Sequence, residues 1–341
     1  MIKRFFYSAS ALLPFRWLTR CGGFRLIAPF YHLISDDCPA HIKYLYPVVS
    51  PHDFAKDLDF LLKHYIPISA AEVPLVISGQ KHLPKPALFL SFDDGFREVA
   101  QVIAPILLEK GIPATFFVTP AFVGNVEMLY RCKQSLIAHS VMQAGDAFVA
   151  PDSAVTLWGN RAHEANYFAK YLFKLGAHEV PTIESIAHAL GVDLKGYLQS
   201  VRPYLTLDEL QSLAQKGFTI GAHSYSHPLF ANLPVESQIA EVEQSLDWVE
   251  RNIPHQPRMF AFPFTDYGVS AGFYKHFLRD NPENFDVMFG TAGLKVMPSP
   301  RIVQRIPMEV KRYGARQILG GEYLYYAAKR IVGKHKMSIP Q

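Results

Sequence analysis

The stretch Ala87-Leu-Phe-Leu-Ser-Phe92, running straight into Asp93-Asp94-Gly95, decides how the rest of the chain is read. A short apolar run bounded by a turn signal reads as a buried strand. The pattern over 96–110 reads as a helix that stops at Gly111, and Ala114-Thr-Phe-Phe-Val118 supplies the next strand. Strand, helix and strand in such close succession predict a parallel α/β sheet or barrel.

The same rhythm extends in both directions. Toward the N-terminus, Arg25–Tyr31 is a second apolar run, and it ends at His32. Ser50-Pro51 then opens a helix, with serine as the cap and proline in the first turn. Its apolar stripe is Phe54, Leu58, Leu61, Leu62 and Tyr65, and another helix is expected after Ser69. Toward the C-terminus the alternation breaks over about 123–203, a stretch with helical patterning that reads as an insertion. It resumes at Thr206-Leu-Asp-Glu209, a capping-box spelling ahead of a helix closing at Gly217. Phe218–Ala222 is the next strand and ends at His223. Residues 235–251 carry Ile239, Val242, Leu246 and Val249 at helical spacing. Met259–Phe262, ending at Pro263, and then Asp286–Gly290 and Ile302–Ile306 are the remaining strands, followed by a basic helix. The division expected is a basic segment over 1–24, a barrel over 25–122 and 204–309, a helical insertion over 123–203 and a basic C-terminal helix over 310–341.

Polar chemistry collects at the C-terminal ends of separate strands: His32, Asp93-Asp94, His223 and Pro263-Phe264. In barrels and open α/β sheets that rim is where active sites are built. His223-Ser-Tyr-Ser-His227 places two histidines four residues apart, close enough to share one metal ion. In a chain with 14 histidines that spacing is weak by itself. Asp93 and Asp94 are held at a strand end ahead of a helix, whereas Asp36-Asp37 reads as a simple cap. Adjacent side chains point different ways, so one carboxylate can bind a metal while its neighbour faces a water as general base. An Asp-His-His set leaves metal positions open for water and substrate, the layout a hydrolytic site needs.

Taken together, these residues resemble the polysaccharide deacetylase family, the nodulation-type carbohydrate esterases of family 4. Ser91-Phe-Asp-Asp-Gly95, with Pro113-Ala-Thr-Phe-Phe117 after it, is similar to the first family motif. Gly221-Ala-His-Ser-Tyr-Ser-His-Pro228 is similar to the second, and Phe260-Ala-Phe-Pro-Phe264 to the third. Phe30-Tyr-His-Leu-Ile34, and Val49-Ser-Pro51 with Phe54, resemble members that carry an N-terminal extension. The resemblance implies an α/β fold, a distorted (β/α) barrel of the deacetylase type. It also implies a metal-dependent hydrolase removing N-acetyl groups from amino sugars of a polysaccharide or glycolipid intermediate. By motif position Asp93 is the catalytic base, and Asp94, His223 and His227 are the metal ligands. The metal is a divalent cation, zinc by default, although mixed nitrogen and oxygen ligation suits cobalt, nickel and manganese as well. The backbone N–H of Phe264 is the implied oxyanion donor, with Pro263 and Tyr31 on the substrate side. Tyr225 and Tyr267 also lie near the expected rim.

The sequence departs from the family pattern at two places. Where the third motif usually has an arginine that steadies the catalytic aspartate, this chain has Ala261. Arg258 has the wrong strand parity to replace it, and Arg301 and Arg305 both remain open. The late leucine–histidine motif is missing, since no histidine lies between His276 and His335. In permuted members an N-terminal strand supplies that histidine, which makes His32 the implied general acid. Two other readings stand beside deacetylation: a deformylase or O-acetyl esterase on a lipid-linked sugar, and a catalytically silent sugar-binding barrel.

Composition sets outer limits. Hydrophobic residues make up 49% and charged residues 19% of the 341, so a large buried core is available and disorder is excluded. The net charge of +4 hides a division. Residues 1–30 hold five basic and no acidic side chains, residues 310–341 seven basic and one acidic, and residues 31–309 hold 22 basic and 29 acidic. An acidic body argues against a nucleic-acid-binding core. Basic ends suit either plain solvation or peripheral contact with an anionic membrane. Cys21, Cys38 and Cys132 are odd in number and far apart, so neither a disulfide framework nor a thiolate zinc site is expected. The first residues begin like a signal peptide, but Pro14, Arg16 and Arg20 interrupt the apolar run. The expectation is a cytoplasmic protein, with any membrane association at the cytoplasmic face and its oligomeric state open.

Overall fold

The computed structural model describes residues 2–339. Eleven short strands make two parallel sheets. They are β1 (Leu26–Ile27), β2 (Pro29–Tyr31), β3 (Ile66–Pro67), β4 (Ala87–Leu88), β5 (Ser91–Phe92), β6 (Thr115–Val118), β7 (Thr219–Ala222), β8 (Met259–Ala261), β9 (Val287–Gly290), β10 (Ile302–Gln304) and β11 (Ile306–Pro307). The large sheet has the order β10-β9-β8-β7-β6-β5-β2-β11, and the small one β1-β4-β3. Each of the two apolar runs expected as one strand therefore contributes to both sheets: β1 and β2 come from the first, β4 and β5 from the second.

The eight-stranded sheet is a nearly closed barrel, and one segment closes it. β10 pairs with β9, with Gln304 opposite Gly290, while β11 pairs with β2, with Ile306 opposite Pro29. Residues 302–307 thus join both edges, and Arg305 sits at the crossing point. Strand alternation sends Ala28, Phe30 and His32 toward the interior from one strand, and Phe89, Ser91 and Asp93 from the next. Phe89 stacks on Phe289 at 4.6 Å between ring centres, and Phe117 meets Phe289 at 5.4 Å, filling the barrel with aromatic carbon. Gly221 makes room for this: a Cβ there would lie 2.5 Å from Phe117 Cε1 and 3.2 Å from the Met259 carbonyl oxygen.

The helices follow their sequence signals closely. Ser50 caps Pro51–His64 by accepting from the Asp53 N–H at 3.1 Å, and Phe54, Leu58 and Leu61 are buried beneath it. Thr206 and Glu209 form the capping box of Leu207–Gln215. Val235–Asn252 buries Val242, Leu246 and Val249. The helix expected over 96–110 opens with a wide π-helical turn, Val99–Ile103, before Ala104–Glu109. Pro105 has no N–H to give the preceding turn and its ring crowds that turn, which favours the wider winding. Between Tyr130 and Val201 the chain is helical and packs its own apolar cluster around Phe168, Leu172, Ile183 and Ile186. Phe96 and Tyr204, stacked at 5.4 Å, tie that cluster to the barrel.

The basic ends are not simply solvated. The helices Ile2–Ser10 and Phe15–Gly22 pack against Ala315–Ile331. The single acid of the C-terminal segment, Glu322, is buried there, taking Tyr7 Oη at 3.0 Å and Lys3 Nζ at 2.7 Å. Cys38 is an exposed free thiol and Cys132 a buried one, and the side chain of Cys21 lies outside the described residues. Among the described residues no helix is long and apolar enough to cross a membrane.

Candidate active site

Parallel register assembles the rim. Tyr31 lies opposite Phe92, and the Asp93 N–H donates to the Tyr31 carbonyl at 3.0 Å, so His32 and Asp93 leave adjacent strands side by side. Glu309 follows β11 on the other flank of β2. Its carboxylate takes the N–H groups of His32 and Leu33 at 2.7 and 2.9 Å and also contacts His32 Nδ1. Burial works against a charged His32, but the Glu309 carboxylate outweighs it, with smaller help from Asp94 and Asp93. The imidazole is raised to about 9.

Asp94 turns away from the strand in a left-handed conformation, φ 71°, directly before Gly95 at 66°. Its Oδ1 lies 3.4 Å from His223 Nε2 and 3.1 Å from His227 Nε2, and one ligand atom from each of the three residues falls within 4.8 Å of the others. His223 Nδ1 lies 2.8 Å from the Ala261 carbonyl. A carbonyl only accepts, so Nδ1 carries the proton and Nε2 presents its lone pair to Asp94. Two acceptors facing each other in a buried site repel unless a cation lies between them. Among the described residues Asp94 Oδ1 has no hydrogen-bond donor of its own, and burial pushes His227 below the ordinary imidazole value despite Asp94, favouring its neutral, ligating form. The residues therefore fit a divalent cation, and the His223 hydrogen bond is the outer-shell support that such ligands commonly have.

Arg305 answers the question left by Ala261. It is fully buried, and it donates from Nη1 to Asp93 Oδ1 at 2.6 Å and from Nη2 to Asp93 Oδ2 at 2.8 Å. Nη1 also reaches Ser91 Oγ at 3.1 Å, and the guanidinium lies 4.3 Å from the Phe30 ring centre. Burial alone would raise Asp93. The Arg305 charge and its hydrogen bonds reverse this, and the carboxyl sits below its usual range. Arg301 instead lies over Phe285, and Arg258 pairs with Asp247 and Glu250 at the surface.

His32, Asp93, Asp94, His223 and His227 border a cavity of about 460 Å³ together with Tyr46, Arg131, Phe173, Phe264 and Thr291. That volume suits a small ligand or one sugar unit. A larger depression of about 950 Å³ shares Tyr44, Leu45 and Tyr46 with it but contains none of the rim acids and histidines. The chemistry belongs to the smaller cavity. Asp94, Ser224, His227 and Phe264 all have positive φ, and such backbone strain concentrates where function over-determines the conformation. Phe264 packs its ring on His227 at 4.7 Å, and among the described residues its N–H makes no hydrogen bond within the protein.

Two expected substrate contacts are corrected. Tyr31 has no exposed surface: strand parity turns it away from the interior, and its hydroxyl donates to Asp57 Oδ2 on the neighbouring helix at 3.0 Å. Pro263 is buried beneath the turn, where its carbonyl accepts from Thr265 N–H at 2.6 Å, and does not line the cavity. Tyr225 and Tyr267 are exposed, at 39% and 82%, and do not line it either. Three residues escaped the sequence reading. Glu309 had a signal, an acid just past a strand end. Tyr46, whose ring stacks on His32 at 4.4 Å and whose buried hydroxyl has no hydrogen-bond partner, had none. Arg131 reaches the cavity from the helical region, held by the Phe173 carbonyl at 2.5 Å and Gln134 Oε1 at 3.1 Å.

A parallel barrel with acids and imidazoles converging at its C-terminal rim is an arrangement that a hydrolytic metal site can use. The family model described as polysaccharide deacetylase matches residues 80–144 and 177–274. The chain belongs to the polysaccharide deacetylase family. Among solved structures it is similar to the Streptococcus pyogenes deacetylase PplD, crystallised with acetate, at 16% identity and a TM-score of 0.54, covering 89% of this chain and 97% of that one. It is equally similar to IcaB from Ammonifex degensii, at 16% identity and 0.54, with 88% and 98% covered. A third likeness, to the polysaccharide deacetylase BA0330 of Bacillus anthracis, stands at 12% identity and 0.50, with 87% and 68% covered. At these identities the likeness concerns the fold. No curated protein sequence matches the chain.

Proposed function

We propose that the protein is a metal-dependent amidohydrolase that removes the acetyl group from an N-acetylated amino sugar of a glycan or glycolipid. One observation carries this reading: Asp94, His223 and His227 converge within 4.8 Å, beside an Asp93 held ionised by Arg305, at the mouth of a sugar-sized cavity. A divalent cation bound by Asp94, His223 and His227 would supply Lewis acidity, acidifying water and polarising the amide carbonyl.

The chain's own groups divide the remaining work. Asp93 accepts the proton of the attacking water, and Arg305 fixes both of its oxygens so that it faces the cavity in one orientation. The free N–H of Phe264 is available to the oxyanion of the tetrahedral intermediate. His32, protonated at neutral pH through Glu309, gives its proton to the departing amine nitrogen, which must leave as a neutral amine. In this reading the permuted arrangement, with the acid supplied from an N-terminal strand, replaces the absent late histidine. Tyr46 braces the His32 ring by stacking on it.

The test is metal analysis of the purified protein paired with acetate release from short chitin-type and peptidoglycan-type oligomers. Acetate release that depends on bound divalent metal is expected. Metal-loaded protein that hydrolyses O-acetyl or N-formyl sugars but leaves every N-acetyl oligomer intact would overturn the acyl assignment.

A further inference from the structure

The two N-terminal helices do more than cover the C-terminal helix. Tyr7, Ser10, Phe15 and Leu18 face inward and are buried. The opposite side and the turn between the helices expose Phe5 at 71%, Leu12 at 87% and Trp17 at 56%. Four of the large apolar side chains exposed on this protein, Phe5, Leu12, Leu13 and Trp17, fall within residues 5–17, a concentration of the kind that marks an interaction surface. It is also surrounded by cations. Arg4, Arg16 and Arg20 are exposed, and among the described residues none of them forms an ion pair. Arg316 anchors the turn from below, donating from Nη2 to the carbonyls of Ala11 and Leu13, both at 3.2 Å. No acidic side chain occurs anywhere in residues 1–30.

We propose that this helical hairpin docks the protein on an anionic lipid bilayer. Apolar side chains with a tryptophan at the tip enter the headgroup region, and the flanking arginines meet lipid phosphates. Charge complementarity selects this occupant over two others. A second copy of the chain would bring the same unpaired arginines against each other across a two-fold contact, which repels. A nucleic acid would satisfy the arginines and leave Leu12 and Trp17 without a role.

The surroundings agree. Arg316 also lines the depression of about 950 Å³, with Lys56, Lys311 and Arg312, and this groove shares Tyr44–Tyr46 with the catalytic cavity. Its acids are already engaged: Asp53 with Lys56 at 3.5 Å, and Asp57 with Tyr31 and the Ala315 N–H. A docked protein therefore opens a basic groove beside the bilayer, leading toward the catalytic rim. The proposal goes beyond the deacetylase reading and does not depend on it, because vesicle binding is read without any turnover.

The experiment is sedimentation of the full chain with vesicles of phosphatidylcholine alone or with a third phosphatidylglycerol, at low and physiological salt. Trp17 is followed separately by quenching from lipids brominated along the acyl chain. Binding to the anionic vesicles, weakened by salt, with quenching abolished in Trp17→Phe, is the expected result. Removing Arg16 and Arg20 together should weaken partition about twenty-five-fold, from about fivefold per basic residue. Leu12→Ser with Trp17→Ser should weaken it at least about tenfold, from the burial of two large side chains. Circular dichroism and the melting temperature confirm that each variant remains folded. The proposal fails if anionic vesicles do not bind the protein, or if the Leu12/Trp17 variant binds them as tightly as the wild type. It also fails if that variant only dissolves a dimer seen by analytical ultracentrifugation, or if duplex DNA is bound more tightly than the vesicles.

Discussion

Replacing Arg305 by methionine isolates the buried pair that holds Asp93, the base of the proposed reaction. Methionine keeps much of the packing on Phe30 and Phe117 but takes from Asp93, only 2% exposed, the one countercharge that contacts both of its oxygens. Removing one partner of such a pair costs about 3–5 kcal/mol, because the other charge stays buried. With an unfolding entropy of roughly 2.1 cal/mol/K per residue, 341 residues lose about 1.4 °C for each kcal/mol, so the melting point should fall by about 4–7 °C at pH 7. The pH dependence carries a sign. In the wild type the folded Asp93 lies below its unfolded value, so the pair stabilises above about pH 3.9 and its contribution is lost as pH falls through the folded value. In Arg305→Met the strongest influence lowering Asp93 is gone and burial raises the carboxyl, so the penalty is largest at neutral pH and shrinks toward acid as the carboxyl protonates. Thermal melts by circular dichroism at pH 7 and pH 4.5 measure both the size and the narrowing of the gap. Acetate release at pH 7 should fall by at least about a hundredfold, the usual worth of a general base. A variant that melts within a degree of the wild type, or whose deficit is the same at both pH values, would refute the assignment of Arg305 as the support of Asp93. The matching change at Arg301 should leave activity near wild type.

Asp94→Ala and His227→Ala should each lose bound divalent metal by elemental analysis while keeping their circular dichroism. Asp93→Asn should retain metal and lose at least about a hundredfold in acetate release. Because His32 is held up to about 9, the wild-type rate should fall on the alkaline side near that pH as the acid is lost. In Glu309→Gln the strongest opposition to burial is gone, and the limb should move to lower pH in the pH–rate profile. Gly221→Ala puts a Cβ 2.5 Å from Phe117 Cε1, and denaturant melts should show a loss of about 1–3 kcal/mol. An unchanged midpoint would mean that the barrel interior has room to spare.

What could be read from the sequence was local. Each strand that ends in a polar rim residue announced itself by an apolar run with a hard stop, and Thr206/Glu209 and Ser50/Pro51 spelled their caps outright. His223 and His227 are four residues apart and Asp93-Asp94 are neighbours, so their motifs are contiguous. The two residues that complete the site lie far from these motifs along the chain. Arg305 is 212 residues from Asp93, and Glu309 is 277 from His32. Only the closing of the barrel brings them near, and no spacing rule along a chain encodes that. Tyr31 failed for a different reason. Being next to His32 put it near the rim in sequence, but parity in a strand puts neighbours on opposite faces, and its place was against Asp57.

The closing segment makes one synthesis possible. Residues 302–309 seal the seam by pairing with β9 on one side and β2 on the other, and they carry both the guanidinium that supports Asp93 and the carboxylate that supports His32. In the family pattern the arginine belongs to the third motif; here Ala261 stands there, and its carbonyl instead fixes His223. A barrel tolerates this exchange because inward positions of neighbouring strands reach the same central volume, so a guanidinium can enter from a different strand and still meet the same carboxylate. The exchange has a physical consequence. Barrel closure and the charge states of acid and base become one event, since fraying of 302–309 would remove the partners of Asp93 and His32 together. Asp93 would then lose the charge that keeps it low and His32 the charge that keeps it high, moving each away from the protonation state that the proposed reaction needs. The catalytic rim is assembled only when the barrel is shut.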